Sequence, residues 1–101
     1  MDFKEYAVEV GKTAKYYNGL NYTIMALGGE AGELLNEYKK HLRDSFPNDM
    51  LDKDRRIRML LELGDILWYL TRTAYELDSS LEHVAQMNIE KLATRYGMKE
   101  V

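Results

Sequence analysis

The chain has 101 residues, of which 46% are hydrophobic and 31% are charged, and its formal net charge is −3. This length allows one domain, residues 1–101, and the apolar content excludes a disordered tail. The acidic balance argues against a nucleic-acid polymer as partner. Because the chain has no cysteine, disulfides and thiolate metal sites are excluded.

The N-terminal residues do not form a signal-peptide pattern, and no apolar stretch approaches membrane-spanning length. We therefore expect a cytoplasmic protein with no membrane partner. A chain of this size buries only about 60–65% of its unfolded surface. An isolated copy would be marginally stable, so we expect oligomerisation to help.

Two helices are predicted in the first half of the chain. Helix 1 is predicted over 2–17, where apolar side chains recur at helical spacing, and Asn18-Gly19 predicts the turn that ends it. Helix 2 is predicted over 21–43. Its apolar stripe consists of Ile24, Leu27, Ala31, Leu34, Leu35, Tyr38 and Leu42. A break at Gly28-Gly29 is the alternative, because a glycine inside a helix costs up to about 1 kcal/mol relative to alanine.

A polar stretch at 44–52 contains the only proline, Pro47, and predicts a loop. The loop is long for a helix–helix connection and could cover a site. Helix 3 is predicted from Asp52 or Lys53 to Leu77. It is apolar around Leu60–Leu70, which predicts burial in a bundle or at a subunit interface. Its polar stripe consists of Arg58, Glu62, Asp65, Tyr69 and Arg72.

The last predicted helix begins after Asp78. Ser79-Ser80-Leu81-Glu82 fits a capping box that opens helix 4, and Gly97 predicts its end. No strand pattern is present in the sequence. The predicted fold is therefore all-α, a four-helix bundle completed by dimerisation.

Two pairs of acidic residues share one spacing, Glu30 with Glu33 and Glu62 with Asp65. Residues three apart on a helix lie on the same face. Two carboxylates about 4 Å apart repel by roughly 4 kcal/mol at an effective dielectric constant of 20, so a shared cavity would need a cation. Oxygen ligands favour Mg²⁺, Mn²⁺ or Ca²⁺. The alternative is two ordinary solvated helix faces.

Other polar residues have simpler interpretations. A carboxylate-bridged di-iron bundle needs a Glu three residues before a His on each of two helices, and neither His41 nor His83 has one, so we expect both at the surface. Arg55–Arg58 is expected to be the solvated start of helix 3. A third set, on one face of helix 4, could bind phosphate oxygens or could instead be a core amide with snorkelling cations. This set is Asn88, Lys91 and Arg95.

Three blocks of the sequence resemble those of MazG-like nucleotide pyrophosphohydrolases. The first is Ala26–Leu34 followed by Lys39–Arg43, the second is Glu62–Leu70, and the third is Asn88–Leu92 with Arg95-Tyr96. The likeness spans residues 24–96, and the acidic pairs form its E-x-x-E…E-x-x-D signature. One block alone would be weak evidence, whereas three in the right order are strong evidence.

The resemblance implies an all-α, Mg²⁺-dependent enzyme, in which Mn²⁺ can substitute, that hydrolyses (deoxy)nucleoside triphosphates to the monophosphate and pyrophosphate. It implies a homodimer or a dimer of dimers. The implied metal ligands are Glu30, Glu33, Glu62 and Asp65. The implied catalytic residues are Glu33, Glu62 and Asp65, and the implied substrate contacts are Tyr69, Asn88, Lys91 and Arg95.

Some assignments stay open at this point. Either Glu33 or Glu37 could orient the attacking water. Tyr17, Tyr22 or Trp68 could stack on a base, and no spacing selects one of them. The alternative to an enzyme is a catalytically silent helical dimerisation module on the same scaffold.

Overall fold

The structure, a computed structural model, describes residues 1–45 and 50–98. These ranges contain four helices and no strand: α1 Phe3–Thr13, α2 Gly19–Ser45, α3 Lys53–Glu76 and α4 Leu81–Tyr96. The predicted all-α fold is confirmed. Within the described residues, no helix is both long and apolar enough to cross a membrane.

Helices α2 and α3 form the framework of the fold, since their mutual contact is much the most extensive one between helices. They run antiparallel: Glu37 contacts Arg58 near one end of the pair, and Tyr22 contacts Tyr69 near the other. Helices α1 and α4 pack against each other and against α3. This arrangement places one face of α2 opposite the polar stripe of α3.

Helix α1 ends four residues earlier than predicted, at Thr13. A capping box starts it, because the Asp2 carboxylate accepts from the Glu5 backbone N–H at 2.7 Å and the Glu5 carboxylate accepts from the Asp2 N–H at 3.3 Å. Ala14 is already extended. Residues 14–17, up to the turn at Asn18, are therefore not part of the helix.

Helix α2 is continuous, so the alternative of a break at Gly28-Gly29 is wrong. It extends two residues beyond the prediction at each end. A Cβ added at Gly28, Gly29 or Gly32 would meet no atom within 4 Å apart from the neighbouring backbone of its own helix. The predicted loop after α2 falls partly on residues 46–49, which lie outside the described part of the chain.

The ends of α3 and α4 follow capping rules. Asp52 caps α3 by accepting from the Arg55 N–H at 2.7 Å. The cap of α4 is Ser80, which accepts from the His83 N–H at 3.1 Å, and not the predicted Ser79. The Ser79 hydroxyl instead hydrogen bonds to the His83 ring at 2.8 Å. Gly97 ends α4 in the left-handed conformation, with φ of 64°.

The core of a single chain is small. Its buried members are mostly small or polar: Val10, Thr23, His41, Thr71, Thr73, Ala74, Leu81 and Ala93. His41 is only 2% exposed and packs against Tyr38 with ring centroids 5.6 Å apart, so the expectation of a surface position was wrong. His83 is exposed, as expected.

Large apolar side chains remain exposed on all four helices. They include Leu35, Tyr38 and Leu42 on α2; Ile57, Leu60 and Leu63 on α3; and Val84, Met87 and Ile89 on α4. The α2 members belong to the predicted apolar stripe. A single copy of the chain therefore does not bury the faces that the sequence pattern marked for burial.

Candidate active site

Three carboxylates converge between α2 and α3. Glu30 comes from α2, while Glu62 and Asp65 lie one turn apart on α3. Each offers an oxygen, and the three oxygens lie within 4.8 Å of one another. We refer to Glu30, Glu62 and Asp65 as the carboxylate cluster. Glu30 is distant in sequence from Glu62 and Asp65, and the antiparallel pairing of α2 and α3 brings the three acids together.

The cluster is electrostatically strained in the absence of a cation. Burial, followed by the charges of Asp65 and Glu62, raises the pKa of Glu30. The Oε2 atom of Glu62 is buried and has no hydrogen-bond donor. A hydrogen bond between Glu30 and Glu62 also raises the pKa of Glu30. Two carboxylates can form such a bond only if one of them carries a proton. A shared proton or a bound cation is therefore needed to satisfy the cluster.

The donor set fits a hard divalent cation. Oxygens on opposite sides of Mg²⁺ are about 4.2 Å apart, twice the metal–oxygen distance. The three carboxylate oxygens lie within 4.8 Å of one another, a limit slightly above this value. All the ligands are oxygens, and none is the sulfur or nitrogen that softer metals prefer. Glu33, the fourth predicted ligand, is exposed and lies outside the group of three.

We expect Glu30→Gln to stabilise the metal-free protein at pH 7. The raised pKa means that the fold favours the protonated carboxyl. The stability that this preference contributes is fully present below the unfolded-state pKa of 4.5, and it is lost as pH rises through the pKa of Glu30 in the folded protein. Gln is neutral throughout, so its melting temperature with a chelator should exceed that of the wild type by a few degrees at pH 7 and match it at pH 4. A lower melting temperature at pH 7 would contradict this repulsion; Glu9→Gln, which changes an exposed acid paired with Lys12 away from the cluster, is the control.

Glu37, one of the two acids considered for orienting water, is held by arginines. Its carboxylate accepts from Arg58 Nε at 2.6 Å and lies 3.5 Å from Arg55 Nε. The side chains of Glu37 and Arg55 are only 13% and 11% exposed. The expectation that Arg55 is solvated was therefore wrong. The hydrogen bond from Arg58 lowers the pKa of Glu37. Within the described residues, Glu33 is the unpaired member of the two candidates.

Replacing Glu37 should have the opposite pH signature to replacing Glu30. A lowered pKa contributes stability that is present above the unfolded value of 4.5 and lost as pH falls through the folded pKa. Glu37→Gln should therefore melt several degrees below the wild type at pH 7, because Arg55 and Arg58 lose the carboxylate that they share. The difference should vanish in acid. Thermal melts across pH test this, with Glu9→Gln, which removes only an exposed pair with Lys12, as the matched control.

A cavity of about 370 Å³ adjoins the carboxylate cluster, and two acids of the cluster line it. We call it the aromatic cavity. It is lined by Thr13, Lys15, Tyr16, Tyr22, Glu30, Asp65, Trp68 and Tyr69. Hydrogen bonding to Tyr22, burial, and the charges of Tyr22, Glu30 and Asp65 together raise the pKa of Tyr69 to about 12. Tyr69 is therefore protonated at neutral pH beside the acids.

Three lining residues were not selected from the sequence. Of the aromatic candidates, Tyr22 and Trp68 line the cavity, whereas Tyr17 is 88% exposed and does not. Tyr16 lines the cavity instead, together with Thr13 and Lys15. These three residues reach the cavity because α1 ends at Thr13. The sequence analysis missed them because helical periodicity continues to Tyr17.

The predicted phosphate-binding set lies elsewhere on the chain. Asn88, Lys91 and Arg95 are exposed on α4 and do not line the aromatic cavity. They do not form a core amide with snorkelling cations in a single chain. Their contact with substrate remains a prediction.

Fold and site together define a class: an all-α domain whose two longest helices gather carboxylates suited to a divalent cation beside a cavity. Residues 19–98 match the family model described as the MazG nucleotide pyrophosphohydrolase domain, and the chain belongs to this family. It is similar to the Gene 37 protein of Mycobacterium phage L5, with 43% identity over 77 residues. That match covers 76% of this chain and 66% of the relative's length. No solved structure matches the chain.

Proposed function

We propose that the protein hydrolyses (deoxy)nucleoside triphosphates to the nucleoside monophosphate and pyrophosphate in a Mg²⁺-dependent reaction. The observation that carries this proposal is the convergence of Glu30, Glu62 and Asp65 in a chain of the MazG family. The orphaned Glu62 oxygen supports it, because a cation would satisfy that buried atom.

The residues of the site divide the tasks of the proposed reaction, and Glu33 takes part in two of them. Glu30, Glu62 and Asp65, joined by Glu33, would hold the cation. A bound divalent cation neutralises phosphate charge and lowers the pKa of a bound water. Glu33 has no partner within the described residues and orients the attacking water. Tyr69 contacts the substrate from the cavity wall. No nucleophilic side chain is required, because phosphoryl transfer depends mainly on positioning and charge stabilisation.

We also propose that the functional form is a homodimer or a dimer of dimers. The chain exposes 8006 Å², whereas a folded monomer of 11.8 kDa exposes about 5,900 Å². Its radius of gyration is 16.6 Å, against about 13 Å for a compact domain of this length. The excess surface is comparable to what an obligate dimer buries. In such an assembly, the exposed face of α4 would be available to complete a partner's site with Asn88, Lys91 and Arg95.

Product analysis over a nucleotide panel tests the proposed activity. Ribo- and deoxyribonucleoside triphosphates are incubated with Mg²⁺ or with a chelator. We expect pyrophosphate and monophosphate, in equal amounts and without diphosphate, only when Mg²⁺ is present. Absence of product across the whole panel would favour the alternative, a catalytically silent dimerisation module.

A further inference from the structure

We propose that Glu37, held by Arg55 and Arg58, is a positioning residue for the divalent cation. It fixes how α2 and α3 align lengthwise, and it thereby keeps the acid of α2 opposite the two acids of α3 in the carboxylate cluster. We refer to Glu37, Arg55 and Arg58 as the arginine clamp. This inference rests on the proposed function, since it takes the cluster to bind a divalent cation. It adds a residue that touches neither the cation nor the substrate.

The arginine clamp joins the same two helices as the carboxylate cluster. The Glu37 carboxylate on α2 accepts from Arg58 Nε on α3 at 2.6 Å and lies 3.5 Å from Arg55 Nε. Because the side chains of Glu37 and Arg55 are nearly buried, their contact is less screened by water than that of an exposed pair. Within the described residues, the one other ion pair between α2 and α3 also uses the clamp, since Arg55 Nη2 lies 3.6 Å from the Asp44 carboxylate.

Helical spacing keeps the clamp and the cluster in step along the two helices. Glu37 lies seven residues after Glu30 on α2, which is about 10.5 Å along the helix axis. On α3, Asp65 lies seven residues after Arg58, and Glu62 lies between them. Because the helices are antiparallel, the contact of Glu37 with Arg58 brings Glu30 level with Asp65. A slip of one turn, about 5.4 Å, would exceed the 4.8 Å within which the three cluster oxygens lie.

Apolar packing fixes this alignment only weakly. Among the described side chains of α2, Thr23 and His41 are buried and no apolar side chain is. The acids of the cluster repel one another, and the buried Oε2 atom of Glu62 has no hydrogen-bond donor, so the cluster opposes its own assembly. A polar contact between helices can set their register even where it adds little stability. The arginine clamp is in the right place to do so.

A purely electrostatic role for the clamp gives a different expectation. Removal of a negative charge near the cluster weakens cation binding, whereas removal of a positive charge strengthens it. Neutral variants of Glu37 and Arg58 would then change the affinity in opposite directions. If the two residues instead act together to align the helices, either variant weakens binding. The direction of the change in the Arg58 variant therefore separates the two roles.

The affinity for Mn²⁺ is a direct readout that needs neither substrate nor turnover. The full-length protein is titrated with Mn²⁺ well below its melting temperature, and the free ion is measured by electron paramagnetic resonance. We expect Glu37→Gln and Arg58→Gln each to weaken binding by about 10- to 100-fold, the range found when a residue that orients metal ligands is replaced. The double variant should bind within about threefold of the weaker single variant, because the two residues form one contact.

Two controls separate positioning from a loss of stability. Ser80→Ala removes the cap of α4, which accepts from the His83 N–H; it should lower the melting temperature and leave the Mn²⁺ affinity within about twofold of wild type. Glu9→Gln removes an exposed charge on α1 and should change neither quantity. The Arg58 side chain is half-exposed, so Arg58→Gln still gives the answer if Glu37→Gln folds poorly.

The Mg²⁺ dependence of turnover gives a second signature. In both clamp variants the Mg²⁺ concentration for half-maximal hydrolysis should rise with the dissociation constant. The kcat at saturating Mg²⁺ should stay within about threefold of wild type, because the acids of the cluster are unchanged. An acid that oriented the attacking water would instead lower kcat at every Mg²⁺ concentration. Such a loss in Glu37→Gln, with unchanged Mn²⁺ affinity, would overturn the positioning role.

The inference and the proposed function fail in different ways. Tighter Mn²⁺ binding by Arg58→Gln, or unchanged binding in both clamp variants, would overturn the positioning role and leave the activity standing. Weaker binding in both variants, without hydrolysis of any triphosphate by the wild type, would support the positioning role and refute the activity. Absence of Mn²⁺ binding by the wild type would overturn both the positioning role and the metal dependence.

Discussion

Glu62→Gln and Asp65→Asn should each abolish Mg²⁺-dependent pyrophosphate release while the fold is retained. Both carboxylates belong to the cluster and project from adjacent turns of α3. Loss of a charged ligand removes several kcal/mol of charge stabilisation, and each 1.36 kcal/mol is a tenfold change in rate. We therefore expect turnover to fall by at least about 1,000-fold, measured as pyrophosphate release under saturating substrate.

Two controls make this result specific. Glu9→Gln neutralises an exposed acid on α1 that pairs with Lys12 and should leave turnover within about twofold of wild type. Thermal melts should show that neither cluster variant is less stable than the wild type in a chelator, because each removes repulsion between carboxylates. Full turnover in both variants would remove the cluster from the mechanism.

Leu60→Glu should separate the proposed oligomer into single chains. Leu60 is 58% exposed and lies between Ile57 and Leu63, which are also exposed on α3. A charge placed in an apolar interface loses its hydration without gaining a partner. By light scattering after gel filtration, the wild type should have two or four times the 11.8 kDa of one chain. The variant should have the mass of one chain and a lower melting temperature.

The control for this variant is Val8→Glu. Val8 is also exposed, but its neighbours one turn away on α1 are Lys4 and Lys12, so it is an isolated apolar residue on a polar face. Its oligomeric state should not change. A wild-type mass equal to one chain at micromolar concentration would contradict the dimer proposal.

Local signals in the sequence predicted much of the framework. Helical periodicity and capping residues gave four helices, and the positions of Asp52 and Gly97 located the start of α3 and the end of α4 to within a residue. The polar stripe of α3 was also recognisable, because Glu62 and Asp65 interrupt an otherwise apolar segment. The structure places this stripe against α2 and beside the aromatic cavity.

Features that depend on distant contacts were not predictable. The segment after Thr13 is held by Trp68, 55 residues away, and Tyr16 is held by Glu76, 60 residues away. Periodicity reports only neighbours along the chain and therefore continued α1 to Tyr17. In the same way, Arg55 reads as a solvated residue until the antiparallel pairing places Glu37 against it.

The most direct test of the proposed reaction is hydrolysis in ¹⁸O-labelled water, with Mg²⁺ and a triphosphate from the panel. Attack at the α-phosphorus should give a nucleoside monophosphate that carries one ¹⁸O atom and an unlabelled pyrophosphate, and a chelator should suppress both products. Labelled pyrophosphate would contradict attack at the α-phosphorus, and release of orthophosphate or the absence of any product would contradict the proposed hydrolysis.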